Sequence, residues 1–248
     1  MNNQIKSFDD KRNLAIPGDV DETIEFCVSH FVHTAQKAIQ EQGVFTVALS
    51  GGSTPKKIFQ KLSENHQQSI DWKKVKLFWS DERSVAPTHP DSNFKMAMDS
   101  GFKKLPIPEH NIFRMEAERD IEEAAKNYEK TVHREIGGES FDLVMLGMGD
   151  DGHTASLFPK THGLHSQDRW VIANFVPKLD TWRLSLTYEC INASKEIVIY
   201  VLGANKSSMV KQVLLGKEDP DHLPIQKVGT PNHKALWVLD TAAASEIG

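Results

Sequence analysis

The chain of 248 residues has 39% hydrophobic and 25% charged side chains, an ordinary globular balance that excludes a disordered or fibrous protein. A net charge of -5 without a long basic block argues against a nucleic-acid-binding surface, so an anionic substrate has to be met by a local cluster of donors and cations. No apolar run reaches the ~20 residues of a bilayer span, and the first residues lack the apolar stretch of a secretory signal. Two widely separated cysteines, Cys27 and Cys190, suit a reducing cytoplasmic setting.

The first eighteen residues read as an N-terminal extension. Over 21–42, Ile24, Cys27, Val28, Phe31, Ala35 and Ile39 share one helical face, and Gly43 ends the helix. Val44–Leu49 is a short apolar run typical of a buried strand. It breaks at Ser50-Gly51-Gly52-Ser53-Thr54, and Pro55 then opens a helix through about Leu62. Val75–Trp79 is a second strand, ending at Ser80-Asp81-Glu82-Arg83. Helical pattern returns near Asp91–Phe102 and over Ile121–Ile136. Phe141–Leu146 is a strand, followed by Gly147–Gly152, and weaker strands follow at Trp170–Phe175 and Trp182–Leu186. Ile197–Leu202 leads through Gly203 into a helix over about Lys206–Leu215, and Ala235–Leu239 is the last strand. Apolar strands alternating with amphipathic helices predict an α/β fold: one domain with an open, mainly parallel Rossmann-like sheet and helices on both faces. Ligands of such sheets bind beyond the carboxyl ends of the strands. Four polar clusters follow strands there, at Ser50–Thr54, Ser80–Arg83, Gly147–His153 and Gly203–Lys206, and they are expected to meet at one rim.

Each cluster has its own chemistry. In Ser50–Pro55 two glycines let the backbone approach an anion, and the first-turn N–H groups and helix dipole favour negative charge; the competing reading is a tight turn with a Ser or Thr cap. It is not a Walker A loop, because the Gly-Lys-Ser/Thr ending is missing. Gly147-Met148-Gly149-Asp150-Asp151-Gly152 matches G-x-G-x-x-G, but its two aspartates would crowd a pyrophosphate with like charge. Presenting His153 is a better use of this loop. Histidine shuttles protons near neutral pH, and Asp151 is the nearest acid able to fix its tautomer. Arg83 can hold phosphate oxygens in bidentate fashion or pair with Asp81 or Glu82. Arg183 and Lys206 are weaker candidates of the same kind. His162-x-x-His165 lacks further ligands at metal-site spacing.

Together, ALSGGSTP (Ala48–Pro55), FWSDERSVAPTHPDSN (Phe78–Asn93), FDLVMLGMGDDGHTASLFP (Phe141–Pro159), RLSLT (Arg183–Thr187) and GANK (Gly203–Lys206) resemble the 6-phosphogluconolactonase family, in consistent order from about residue 20 to 240. The resemblance implies the open α/β fold shared with glucosamine-6-phosphate deaminases and ribose-5-phosphate isomerases. It also implies hydrolysis of 6-phospho-D-glucono-1,5-lactone without metal or organic cofactor. By that likeness His153 matches the general base and Asp151 its acidic partner. Gly51, Gly52, Ser53, Thr54 and Arg83 match substrate-phosphate contacts, and Arg183 and Lys206 match basic residues lining the site. Asp150 stands where Glu is more usual, which keeps the charge. The rivals are a glucosamine-6-phosphate deaminase or isomerase and a non-catalytic sugar-phosphate-binding protein. The deaminase needs an acid after the histidine, where this chain has Ala155–Pro159. The expected partner is the phosphorylated lactone, with no nucleic acid and no membrane, and the protein is expected as a monomer or homodimer.

Overall fold

The computed structural model describes residues 4–137 and 140–248. The chain runs β1 (Ile5–Ser7), β2 (Arg12–Ala15), α1 (Val20–Gln42), β3 (Phe45–Leu49), α2 (Ser53–Asn65), β4 (Val75–Trp79), β5 (Asp81–Arg83) and α3 (Asn93–Ser100). It continues with α4 (Ile121–Glu135), β6 (Leu143–Gly147), β7 (Val171–Val176), β8 (Thr181–Leu186), α5 (Tyr188–Ala193), β9 (Glu196–Val201), α6 (Ser207–Leu215) and β10 (Ala235–Leu239). Among the described residues no helix is long and apolar enough to cross a membrane.

β3 and β10 are buried at every position, so both faces of the sheet they share are covered. That sheet has seven strands in the order β1-β2-β10-β9-β6-β3-β4. Only β1 runs antiparallel to its neighbour; the other pairings are parallel. Because β9, β6, β3 and β4 are consecutive and parallel, their carboxyl ends share one edge. The four polar clusters of the sequence follow these strands directly.

Three expectations need correcting. The stretch read as an N-terminal extension supplies β1 and β2, with β2 beside β10 through pairs such as Leu236↔Asn13 and Trp237↔Leu14. β2 has only four residues, three of them partly buried, so no apolar run announces it. Second, β7 and β8 do not extend the parallel sheet: with β5 they form a separate three-stranded antiparallel sheet, order β5-β8-β7. Their half-exposed faces suit an antiparallel sheet with one side toward solvent. Third, the polar cluster Ser80–Arg83 does not merely end β4: it is a corner that leads into a strand of the second sheet. The fully buried Ser80 joins the two sheets: its N–H and Oγ donate to Leu49 O at 2.8 and 3.1 Å, and its carbonyl accepts from Leu186 N–H at 2.8 Å.

At the opposite edge Asp142 clamps the starts of β3 and β6. Its buried carboxylate accepts from Thr46 N–H (2.8 Å), Thr46 Oγ1 (2.9 Å), Gln42 Nε2 (2.6 Å) and Lys195 Nζ (3.0 Å). Replacing it with Ala leaves Thr46 donors buried without their acceptor. Asp142→Ala is expected to cost about 3 kcal/mol in urea unfolding, since losing a charged acceptor and stranding its donors are each worth roughly 1–3 kcal/mol. A loss below about 0.5 kcal/mol would show that the clamp is idle.

Candidate active site

The turn from β3 into α2 has a backbone only glycine adopts readily: Gly52, the residue before the helix, sits at φ 102 and ψ 175. Side chains cap α1 (Asp19), α3 (Ser92), α4 (Asp120) and α5 (Thr187), whereas α2, like α6, has no side-chain cap. The Ser or Thr cap that competed with anion binding is therefore not made. The turn instead lines a cavity of about 240 Å³, into which the helix presents the positive end of its dipole.

His153 lies in the same cavity wall, with Arg83, Asn93, Gly149, Ala155 and Lys206. Its Nδ1 is 2.6 Å from Asp151 Oδ1, which also accepts the backbone N–H of His153 at 3.2 Å. An ionised carboxylate only accepts, so the proton of the neutral ring sits on Nδ1 and Nε2 keeps a free lone pair. Burial pushes the Asp151 carboxyl upward, but hydrogen bonds from His153 and Lys178 outweigh it and hold the group well below the usual carboxylate range. The ring stacks on Phe158 with centroids 4.0 Å apart. Gly149 makes room for it, because a Cβ there would sit 2.0 Å from His153 Nδ1. Ala155, in the left-handed region at φ 46, is a strained backbone position in the same wall.

Among the described residues Arg83 and Arg183 have no carboxylate partner, whereas Lys206 does. The Arg83 guanidinium donates to the Asp91 carbonyl at 2.7 Å. Glu82, one of its expected partners, caps α3 instead, accepting from the N–H groups of Asn93 and Phe94 and from Ser92 Oγ. Burial pushes the Glu82 carboxyl up against those donors. Asp81, the other, is held by Asn93 Nδ2 at 3.1 Å and Ser156 Oγ at 2.7 Å. Arg183 faces Arg83 across the β5–β8 pairing. Burial, then the charge of Arg83, pushes the Arg183 guanidinium down, a cost that an anion between the two would relieve. Lys206 donates to Met148 O at 3.0 Å and pairs with Asp150, whose carboxyl it lowers.

Of the residues singled out in the sequence, Gly51, Gly52, Ser53, Thr54, Arg83, His153 and Lys206 line the first cavity. Asp151 and Arg183 line an adjoining one of about 460 Å³, which shares Arg83 and His153 with it. Asp81, Asn93 and Lys178 also line these cavities and were not among the expected site residues. Asn93 ends the Phe78–Asn93 motif, where nothing singles it out, and Lys178 lies on a turn that no motif announces. No α-helix follows Gly152, so the G-x-G-x-x-G segment lacks the helix that a dinucleotide fingerprint opens. Among the described residues no group of His, Cys, Asp or Glu can hold a metal ion. A further cavity of about 810 Å³ carries none of the candidate residues. Its arginines are already engaged, Arg114 by Glu118 at 2.8 Å and Arg119 by Glu116 at 2.7 Å.

A 6-phosphogluconolactonase of Chlamydia trachomatis is 40% identical over 238 residues, covering 95% of this chain and 90% of its own length. One from Nostoc is 39% identical over 216 residues, covering 85% and 88%. A crystal structure of 6-phosphogluconolactonase from Thermotoga maritima matches with a TM-score of 0.80 at 28% identity, over 92% of this chain and 98% of that one. The family model described as glucosamine-6-phosphate isomerases/6-phosphogluconolactonase matches residues 18–237. With the β3–α2 turn and His153 on one cavity, and with these matches along nearly its whole length, the chain belongs to the glucosamine-6-phosphate isomerase/6-phosphogluconolactonase family.

Proposed function

We propose that the protein hydrolyses 6-phospho-D-glucono-1,5-lactone to 6-phospho-D-gluconate, the second step of the oxidative pentose phosphate pathway. One observation carries this reading: the uncapped start of α2 and the imidazole of His153 wall the same cavity, with Arg83 beside them. The phosphate docks on Gly51–Thr54 and Arg83, which places C1 beside His153. Nε2 takes a proton from water as the oxygen attacks C1, and Asp151 balances the imidazolium. The cavity's backbone N–H groups and cations are suited to the developing oxyanion. His153 then returns the proton to the ring oxygen as the C1–O bond breaks. The lactone is already an activated ester, so no covalent intermediate is needed. An isomerase or deaminase would need a carboxylate after the histidine, where Ala155–Pro159 offers none.

Base consumption with freshly made lactone, corrected for spontaneous hydrolysis, tests the reading: acceleration supports it, and ammonia release from glucosamine 6-phosphate without lactone hydrolysis overturns it. Arg83→Ala is expected to lower kcat/KM for the phosphorylated lactone by about 100-fold while changing that for plain gluconolactone far less, because a charge-assisted bidentate contact is worth roughly 3 kcal/mol. Equal losses for both substrates would remove Arg83 from phosphate recognition. We further infer a cytoplasmic protein acting as a monomer or homodimer. The two buried free cysteines suit a reducing compartment, and cell fractionation with sedimentation checks both points.

A further inference from the structure

Asp151 serves two partners. Oδ1 accepts from His153, and Oδ2 pairs with Lys178, which lies on the turn joining β7 to β8. The same ammonium stands 4.9 Å from the centre of the Phe158 ring on which His153 stacks. It therefore reaches the acid–base pair both through the carboxylate and along the aromatic ring. A carboxylate with no second partner would give its whole charge to the imidazole and favour imidazolium, which is the wrong form for a group that must accept a proton from water. Splitting that charge between two donors leaves the ring neutral over a wider pH range while keeping the carboxylate ionised and aimed at Nδ1.

We propose that Lys178 is a positioning residue that tempers Asp151, keeping the His153 imidazole in its proton-accepting form; this rests on the assignment of His153 as general base. The other charges facing the pair are engaged elsewhere or fixed. Asp150 is held by Lys206 from the turn before α6, and Asp81 on β5 is held by Asn93 and Ser156. Arg83 and Arg183, on β5 and β8, face each other across the adjoining strands. Lys178 is the cation bonded to the Asp151 carboxylate itself.

The test compares the pH dependence of kcat/KM for the wild type, Lys178→Met and Lys178→Arg. It is joined by an NMR titration of the His153 ring resonance, identified by its loss in His153→Ala. Removing a cation favours imidazolium, so both the acid limb of the profile and the ring titration are expected to move to higher pH in Lys178→Met, by roughly half to one pH unit for a charge at this range that water partly screens. Lys178→Arg should bring both back. Turnover should fall more at pH 6 than at pH 8. A uniform loss at all pH values with the ring titration unmoved would overturn the proposal and leave Lys178 a structural tether; an unchanged enzyme would do the same. The NMR titration needs no substrate, so an inactive wild type would sink the lactonase assignment while the ring titration still tests the effect of Lys178.

Discussion

His153→Ala is expected to lose about 10²–10⁴-fold in kcat, the usual worth of general acid–base help, with KM nearly unchanged. The reason is that Nε2 holds the proton only between attack and ring opening. In the proposed reaction the α2 turn and Arg83 hold the phosphate outside that exchange, so ground-state binding should survive the loss of the ring. The structure of the loop should survive as well, because the Gly149 N–H donates to the backbone carbonyl of residue 153 at 2.9 Å and does not depend on the side chain. Stopped-flow base-consumption kinetics measure both constants. Turnover within a few-fold of wild type would remove the imidazole from the reaction.

The second large effect is expected at a residue that touches no substrate in this reading. A methyl group at Gly149 would lie 2.0 Å from Nδ1 and 2.1 Å from Cε1 of His153, far inside van der Waals contact. The ring has little room to yield, because it stacks on Phe158 and is bonded to Asp151. Gly149→Ala must therefore push the imidazole off its carboxylate. A displacement of about 1 Å can cost about 100-fold in rate, so turnover should fall by that factor or more. The backbone of Gly149 is not in the left-handed region, so the protein should still fold, and circular dichroism with a thermal melt checks that. Full activity in a folded Gly149→Ala would mean that the position of the ring in this structure is not the working one.

How much of this was legible in the sequence follows from the range of each interaction. β3, β4, β6, β9 and β10 are announced by apolar runs because both their faces are covered. The rim location of the polar clusters then follows from parallel topology alone. Asp151 and His153 are two residues apart, so their pairing is a local event that a sequence reader can anticipate. The pairing of Lys178 with Asp151 spans 27 positions and depends on β7 and β8 folding into their own sheet, which alternation between half-exposed strands signals only weakly. The same weakness hides β1 and β2, whose few residues gain their place from β10 at the far end of the chain. Arg83 was ambiguous for a different reason. Whether Glu82 neutralises it depends on where α3 begins, and Glu82 is consumed by the exposed N–H groups at that helix start.

Ser80 sets the spacing between the β3–α2 turn and the strand of Arg83. It hangs from the carbonyl of Leu49, the last residue of β3 before that turn, and passes directly into the strand that carries Arg83. The backbone spacing between the turn and the strand of Arg83 is thus fixed by hydrogen bonds around one buried serine. In the proposed reading, substitutions along the rim that spare this serine would change which sugar fits while leaving the turn and the strand of Arg83 in register.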